Sequence, residues 1–427
     1  MIRKKISLTL FIIFFSILFL NQSVYSEEKS NCTINREHAL LRSGPGSYYP
    51  SIAELPSGME IAIIEETNGW YKINVDSLTG YVAKKITEGK TRRNDFSSHD
   101  TDTFAQMGKK RAVKRVNQAE LTAGIKGLGG KFCKNLKGDK KFVEIFVGYS
   151  LDSDQFSQFR FETYKNMDLN KIRNEVELPE LVAPTYFTFE EDAMGIGIAA
   201  AISEMGLYQN KSVQDYVNFV GNLVVQASNA YDIPFKFFIL DIPQPNAYSC
   251  PGGIIFITKG LLDFLENEAE LACVLGHEIT HVSCYHGMKE LEERKVQIIA
   301  EDSFADLDEE TEENFGPMDD SLKAVEEELE SMSMSIYGRI FAGRYAEYEE
   351  EADKYGIIYA TRAGYDPRSM ADLLQRLIAS GKTSNNEHFT HEQMVQRKAL
   401  IQISLNNSEI SHGLVLNRER LKSRLTN

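Results

Sequence analysis

The feature that most constrains this chain is the run Gly276-His277-Glu278-Ile279-Thr280-His281. Residues four apart share one face of an α-helix. His277 and His281 can therefore aim two imidazoles at one point, as a tetrahedral zinc ion requires. Glu278 stands beside the first of them, where its carboxylate can take a proton from a water activated by the metal. This reading demands a helix, and the flanking sequence predicts one. Asn267 is a good N-cap with Glu270 three residues on, a variant of the capping box. Leu271, Leu275 and Val282 supply apolar positions, and Gly287 is expected to stop the helix.

A catalytic zinc needs a third protein ligand and keeps a fourth position for water. Downstream, Glu349-Glu350-Glu351-Ala352-Asp353 falls on a second strongly helical stretch. Glu349 and Asp353 share a face. Glu349 can be the third ligand, and Asp353 can accept a hydrogen bond from the outer nitrogen of a ligand histidine, which sets that ring's tautomer. Glu350 and Glu351 fit a solvated side. A purely structural zinc fits poorly, because such sites usually have four ligands rich in Cys. Cys32, Cys133, Cys250, Cys273 and Cys284 lack metal-site spacing and are read as mostly structural, with at least one left unpaired within the chain.

Composition narrows the remaining classes. A chain of 427 residues with 42% hydrophobic content has material for a large core and two domains. The net charge of −15 is local, since residues 301–330 hold fourteen acidic residues and one base, Lys323. That acidic insert resists burial and is expected at the surface. The rest of the chain is near neutral, so a nucleic-acid partner is not expected.

At the N-terminus Arg3, Lys4 and Lys5 precede an apolar run from Ile6 to Leu20, and Val24, Tyr25 and Ser26 fit a cleavage site. The build is that of a secretory signal peptide over residues 1–26, with an uncleaved anchor as the alternative. The run is shorter than the ~20 residues of a membrane-crossing helix. No membrane span is expected after cleavage, and the protein is expected to be exported, periplasmic or secreted.

Residues 32–90 are expected to form one small domain, and from Ala39 to about Ile86 the pattern is period two, broken by turns. Met59, Ile61 and Ile63 precede Asn68-Gly69, a strong hairpin turn, and Tyr71, Ile73 and Val75 follow it. Short strands over about fifty residues suit a small barrel. Leu41-Arg42-Ser43-Gly44-Pro45-Gly46, Asn68-Gly69-Trp70-Tyr71 and Thr79-Gly80-Tyr81-Val82 occur in order and resemble the bacterial SH3-like domain. That resemblance implies a cell-wall or peptide ligand, for which Tyr48, Tyr49, Trp70 and Tyr81 could line a groove, unless Trp70 is simply core. Residues 91–184 form a partly helical connector with no motif. Its basic cluster from Arg92 to Arg115 fits a solvated face or tether.

Asn246-Ala247-Tyr248, Pro251-Gly252-Gly253, Thr258-Lys259-Gly260-Leu261-Leu262, Glu268-Ala269-Glu270-Leu271-Ala272, the histidine motif and Glu349 to Asp353 also occur in order. Together they resemble the zinc metallopeptidases related to CaaX prenyl proteases and HtpX, of gluzincin type, and most of all the soluble periplasmic BepA-like branch. The resemblance implies one zinc per chain on His277, His281 and Glu349, with Glu278 as general base. It implies a mainly α (α+β) zincin metallopeptidase domain over 185–415, behind the small all-β SH3-like barrel. Members of this branch usually carry Thr-His-Pro after the third ligand, where this chain reads Thr390-His391-Glu392. His391 is a candidate fourth ligand or oxyanion stabiliser, or an ordinary loop histidine. Arg397 matches a frequent basic position and is a candidate, with His391, for the fourth-ligand or oxyanion-stabilising role.

The segment from Asn246 to Ile257 reads as a hairpin. Asn246, Ala247, Gly253 and Ile254 are expected to offer an edge to which an extended substrate pairs, main chain to main chain. Such pairing favours unfolded polypeptide. The expected function is a zinc endopeptidase for misfolded or accessible polypeptides in the cell envelope. The alternative is an envelope assembly or chaperone-like binding factor with a latent site.

Overall fold

A computed structural model describes residues 31–36, 39–88, 114–115, 138–180, 189–289, 331–381, 391–406 and 413–426. The expected signal peptide, the acidic run 301–330 and most of the basic cluster lie outside the described residues.

The N-terminal module is an antiparallel sheet of seven short strands. They are β1 (Asn31–Thr33), β2 (Ala39–Arg42), β3 (Ser51–Leu55), β4 (Glu60–Thr67), β5 (Trp70–Val75), β6 (Leu78–Ala83) and β7 (Lys114–Arg115), in the order β1-β4-β5-β6-β2-β3-β7. Asn68 and Gly69 join β4 to β5 with φ of 49° and 82°. Both lie in the left-handed region that a tight two-residue hairpin needs, which explains the Asn-Gly pair. Alternate side chains such as Leu41, Leu55, Ile73 and Val82 meet in one core that includes Trp70. Trp70 is therefore core rather than groove.

Behind it stands a mainly helical body. Its helices are α1 (Lys140–Gly148), α2 (Ser153–Tyr164), α3 (Leu169–Glu175), α4 (Phe189–Ser203), α5 (Lys211–Gln226), α6 (Lys259–Phe264), α7 (Glu268–Ser283), α8 (Ala346–Arg362), α9 (Arg368–Ser380), α10 (His391–Asn406) and α11 (Arg418–Thr426). Residues 331–342 are also helical. The helices that the sequence left without a role contribute to the body, because Phe142 of α1 and Phe156 and Phe159 of α2 are buried in its cores.

A three-stranded sheet divides the body. Its strands β8 (Lys236–Leu240), β9 (Ala247–Cys250) and β10 (Ile254–Thr258) run in the order β8-β10-β9. Ile255 and Ile257 pack into the core that holds α5 and α7, while Ile254 and Phe256 pack into the core that holds α1 and α4. A strand buried on both faces has an unbroken apolar run, as here. The topology corrects one expectation. Ile254 pairs with Lys236 on one side and Cys250 on the other, and Gly253 lies in the 3-10 turn before it, so neither belongs to a free edge. Of the two outer strands, β8 is bridged at Leu240 by Leu207, which leaves the outer side of β9 as the more open edge among the described residues.

The two modules touch. Nη1 of Arg36 lies 2.6 Å from Oδ2 of Asp232, whose carboxylate also faces Lys85 Nζ at 3.7 Å. Trp70 meets Tyr231 edge to face at 5.9 Å, and Tyr48 meets Phe156 at 4.9 Å. Tyr48 and Trp70 are thus engaged inward, which removes them from the expected four-residue groove.

Candidate metal centre

Helix α7 is built as a rigid carrier. Oδ1 of Asn267 accepts from the backbone N–H of Glu270 at 3.0 Å, and Oε2 of Glu270 accepts from the N–H of Glu266 at 2.8 Å. At the same end, the wholly buried Glu268 accepts from the hydroxyls of Tyr216 at 2.7 Å and Tyr365 at 2.9 Å, and it is paired with Arg420. A carboxylate in the first turn also suits the helix dipole. The helix ends at Ser283, four residues before Gly287. Tyr285 takes φ of 58°, and this left-handed turn, rather than the glycine, breaks the helix.

Helix α8 lies against α7, with Gly356 facing Gly276, and brings its carboxylates to the histidines. Nε2 of His277 is 3.0 Å from Nε2 of His281 and 3.4 Å from Oε2 of Glu349. Oε1 of Glu349 is 3.5 Å from Nε2 of His281. Two ligands about 2.0–2.1 Å from a tetrahedral zinc stand about 3.3 Å apart, so the triangle has the size such an ion needs. The buried Oε2 of Glu349 accepts no hydrogen bond and is held by an ion pair with Nη1 of Arg397 at 2.9 Å. Two imidazole nitrogens and a carboxylate turned toward one another fit a cation at their centre.

The outer nitrogens are held as well. Nδ1 of His277 lies 2.9 Å from Oδ1 of Asp353. Arg397 donates to both oxygens of Asp353, each at 2.7 Å. Nδ1 of His281 lies 2.8 Å from Nδ1 of His286, whose Nε2 lies 2.8 Å from Oε2 of Glu351. His286 and Glu351 escaped the sequence reading. Only the bend at Tyr285 brings His286 back beside His281, and no local pattern announces it.

Electrostatics follow from burial. His281 is driven well below the usual imidazole range by desolvation, against the pull of Glu349. His277 is equally buried, but Asp353 and Glu349 outweigh desolvation and push it up to about 10. Metal-free, the pair thus holds one proton where a cation would sit. Burial raises Glu278, opposed by His277 and Arg344. Arg397 holds Glu349 and Asp353 ionised despite their burial.

Other expected residues lie elsewhere. His391 is exposed at the start of α10 and is not among the converging donors, so it is placed as neither fourth ligand nor oxyanion group. Arg397 lines the cleft with Glu278 and is buried and engaged with Asp353 and Glu349. Asn246 and Ala247 do line the cleft with Glu278, His277 and His281. The buried Arg344 steadies this edge by donating to the Ser249 carbonyl at 3.1 Å. The opposite wall is apolar, with Val274, Leu374 and Met394.

Two segments of the chain match known families. Residues 211–402 match the model of peptidase family M48, and residues 39–87 match the bacterial SH3 domain. The beta-barrel assembly-enhancing protease of Yersinia pestis is 30% identical over 165 residues, covering 38% of this chain and 32% of that protein. Its counterpart in Escherichia coli K12 is 26% identical over 185 residues, covering 42% and 35%. The mitochondrial metalloendopeptidase OMA1 of Schizosaccharomyces pombe is 26% identical over 166 residues, covering 39% and 44%. The chain therefore spans about a third of the length of the bacterial relatives it matches. No helix among the described residues is long and apolar enough to cross a membrane. Since His277, His281 and Glu349 all fall inside the first matched segment, the chain carries a peptidase family M48 domain, with a bacterial SH3 domain ahead of it.

Proposed function

We propose that this chain is a zinc-dependent endopeptidase, exported to the periplasm or beyond, that cuts misfolded or accessible polypeptides in the cell envelope. The observation that carries the reading is the triangle of His277, His281 and Glu349, 3.0 to 3.5 Å on a side, with Glu278 next in chain. These three residues would hold one zinc, which supplies Lewis acidity toward a water and a peptide carbonyl. Export rests on the signal-like residues 1–26.

The chain's own residues divide the remaining work. Glu278 takes the proton from the attacking water and returns it to the departing amine. Its raised proton affinity, a result of burial, suits a base that must give the proton back. Asp353 fixes the ring of His277, and Arg397 keeps Asp353 and Glu349 ionised and in place. A substrate laid along the outer side of β9, beginning at Asn246 and Ala247, pairs by main-chain hydrogen bonds and needs an extended chain. That requirement selects unfolded segments over folded ones. A cell-wall or peptide ligand of the SH3 domain would meet the face that keeps Tyr81, over which Lys72 sits at 5.9 Å.

The test is Glu278→Gln with zinc present, followed by degradation of casein. The expected outcome is a loss of at least 100-fold in rate, within the usual reach of general base catalysis. Undiminished hydrolysis would exclude this site. A cellular phenotype that survives while hydrolysis vanishes would favour the chaperone-like alternative.

A further inference from the structure

Each ring proposed to hold zinc has a different partner behind it. His277 leans directly on a carboxylate, Asp353. His281 does not, and its outer nitrogen meets a second imidazole, His286, which in turn meets Glu351. His286 is wholly buried and its ring stacks on that of Tyr348, with centroids 4.5 Å apart and planes 17° from parallel. We propose that His286, backed by Glu351, is the positioning residue for His281, fixing the ring's rotation and its tautomer.

The proposal rests on the zinc reading above, and the hydrogen bonds then fix every proton. Nε2 of His281 faces His277 and Glu349, so it presents a lone pair and the ring proton sits on Nδ1. A 2.8 Å contact between two nitrogens needs one proton between them, so Nδ1 of His286 accepts. The proton of His286 is then on Nε2, where it donates to Glu351 at 2.8 Å. The chain ends on a carboxylate, as the shorter arm does, with one imidazole inserted.

Backbone geometry supports a specific role. Five residues along an uninterrupted helix turn the side chain by about 140°, which would carry position 286 away from position 281. The two rings meet because Tyr285 adopts φ of 58°, a region that bulky residues rarely occupy. The bend carries His286 directly onto the outer nitrogen of His281.

The test compares zinc affinity, by competition with a chelator, in the full chain and in His286→Phe, His286→Asn and Glu351→Gln. Phenylalanine keeps the stack on Tyr348 and removes the acceptor, while asparagine places a carbonyl oxygen near the position of Nδ1 and gives up the stack. The expected result is zinc binding 10–100-fold weaker for Phe, the usual effect of losing such a partner. Asn recovers most of the affinity, and Glu351→Gln loses less than Phe. The visible spectrum of the cobalt-substituted protein shifts in the Phe variant and returns toward the parent's in Asn. Phe binding as tightly as the parent, or tighter than Asn, would overturn the proposal in favour of packing. A second zinc per chain in the parent, lost in both His286 variants, would also overturn it, showing that His286 and Glu351 hold metal with Cys284. A parent that binds zinc yet leaves casein intact would sink the peptidase reading alone, and one that binds no zinc would sink both.

Discussion

Gly276 and Gly356 face each other backbone to backbone. A Cβ on Gly276 would fall 2.5 Å from the carbonyl oxygen of Gly356, and one on Gly356 would fall 2.6 Å from the nitrogen of His277. The close crossing sets how near Glu349 comes to the two imidazoles. Gly356→Ala is expected to wedge the helices apart and cost about 1–3 kcal/mol. Zinc stoichiometry should fall with the melting temperature. Full zinc loading at unchanged affinity would show that the crossing tolerates a methyl group.

Arg397 is the counter-ion of two buried carboxylates. Arg397→Met leaves Asp353 and Glu349 buried without it, and the metal-free protein is expected to lose about 3–5 kcal/mol. Added zinc should recover part of this, because it restores positive charge beside Glu349. His391→Ala, at the exposed start of α10, is expected to leave both zinc affinity and hydrolysis unchanged. Thermal unfolding with and without zinc checks the first variant, and chelator competition together with casein cleavage checks the second.

Zinc binding should release a proton. Without metal His277 is pushed up to about 10 by Asp353 and Glu349, against burial. Affinity is therefore expected to fall as pH drops below about 10, because the proton competes for the same nitrogen. The stability sign follows from the raised value. The contribution is full below the unfolded value of ~6.5 and is lost as pH rises through about 10. Metal-free protein should melt lower at pH 10.5 than at pH 7, and saturating zinc should reduce the difference. Titration calorimetry in buffers of different ionisation heat should give about one proton per zinc at pH 8.

The contact between the modules should be breakable at one residue. The side chain of Asp232 is 3% exposed and lies between Arg36 and Lys85. Asp232→Ala leaves two cations facing each other in the interface, and the SH3 domain should loosen from the peptidase domain. Faster hydrogen exchange at Lys84–Thr87 and around Tyr231, with the core strands of the barrel still protected, is the expected readout. Unchanged exchange would show that the aromatic contacts of Trp70 and Tyr48 suffice.

What could be read from the sequence was local or periodic. Asn267 and Glu270 are three residues apart and cap a helix by their own hydrogen bonds, so their pattern survives any tertiary context. Glu349 and Asp353 were found because four-residue spacing places both on one face. The misreadings share a physical cause. Ile254 to Ile257 is an unbroken apolar run, the mark of a strand covered on both faces, yet its β-forming residues were read as an edge. The expected stop at Gly287 rests on glycine's preference for helix ends, while the bend is set by the left-handed Tyr285. Gly356 was passed over because a helix crossing joins residues eighty positions apart, and neither glycine has a local signature.

The left-handed turn at Tyr285 bears on how this chemistry could be transplanted. Grafting the six residues from Gly276 to His281 onto another helix would import two rings with neither of their supports. The smallest portable unit runs on to His286 and includes the facing segment from Glu349 to Gly356 and the guanidinium of Arg397. A designer who copies less inherits a pair of imidazoles free to spin.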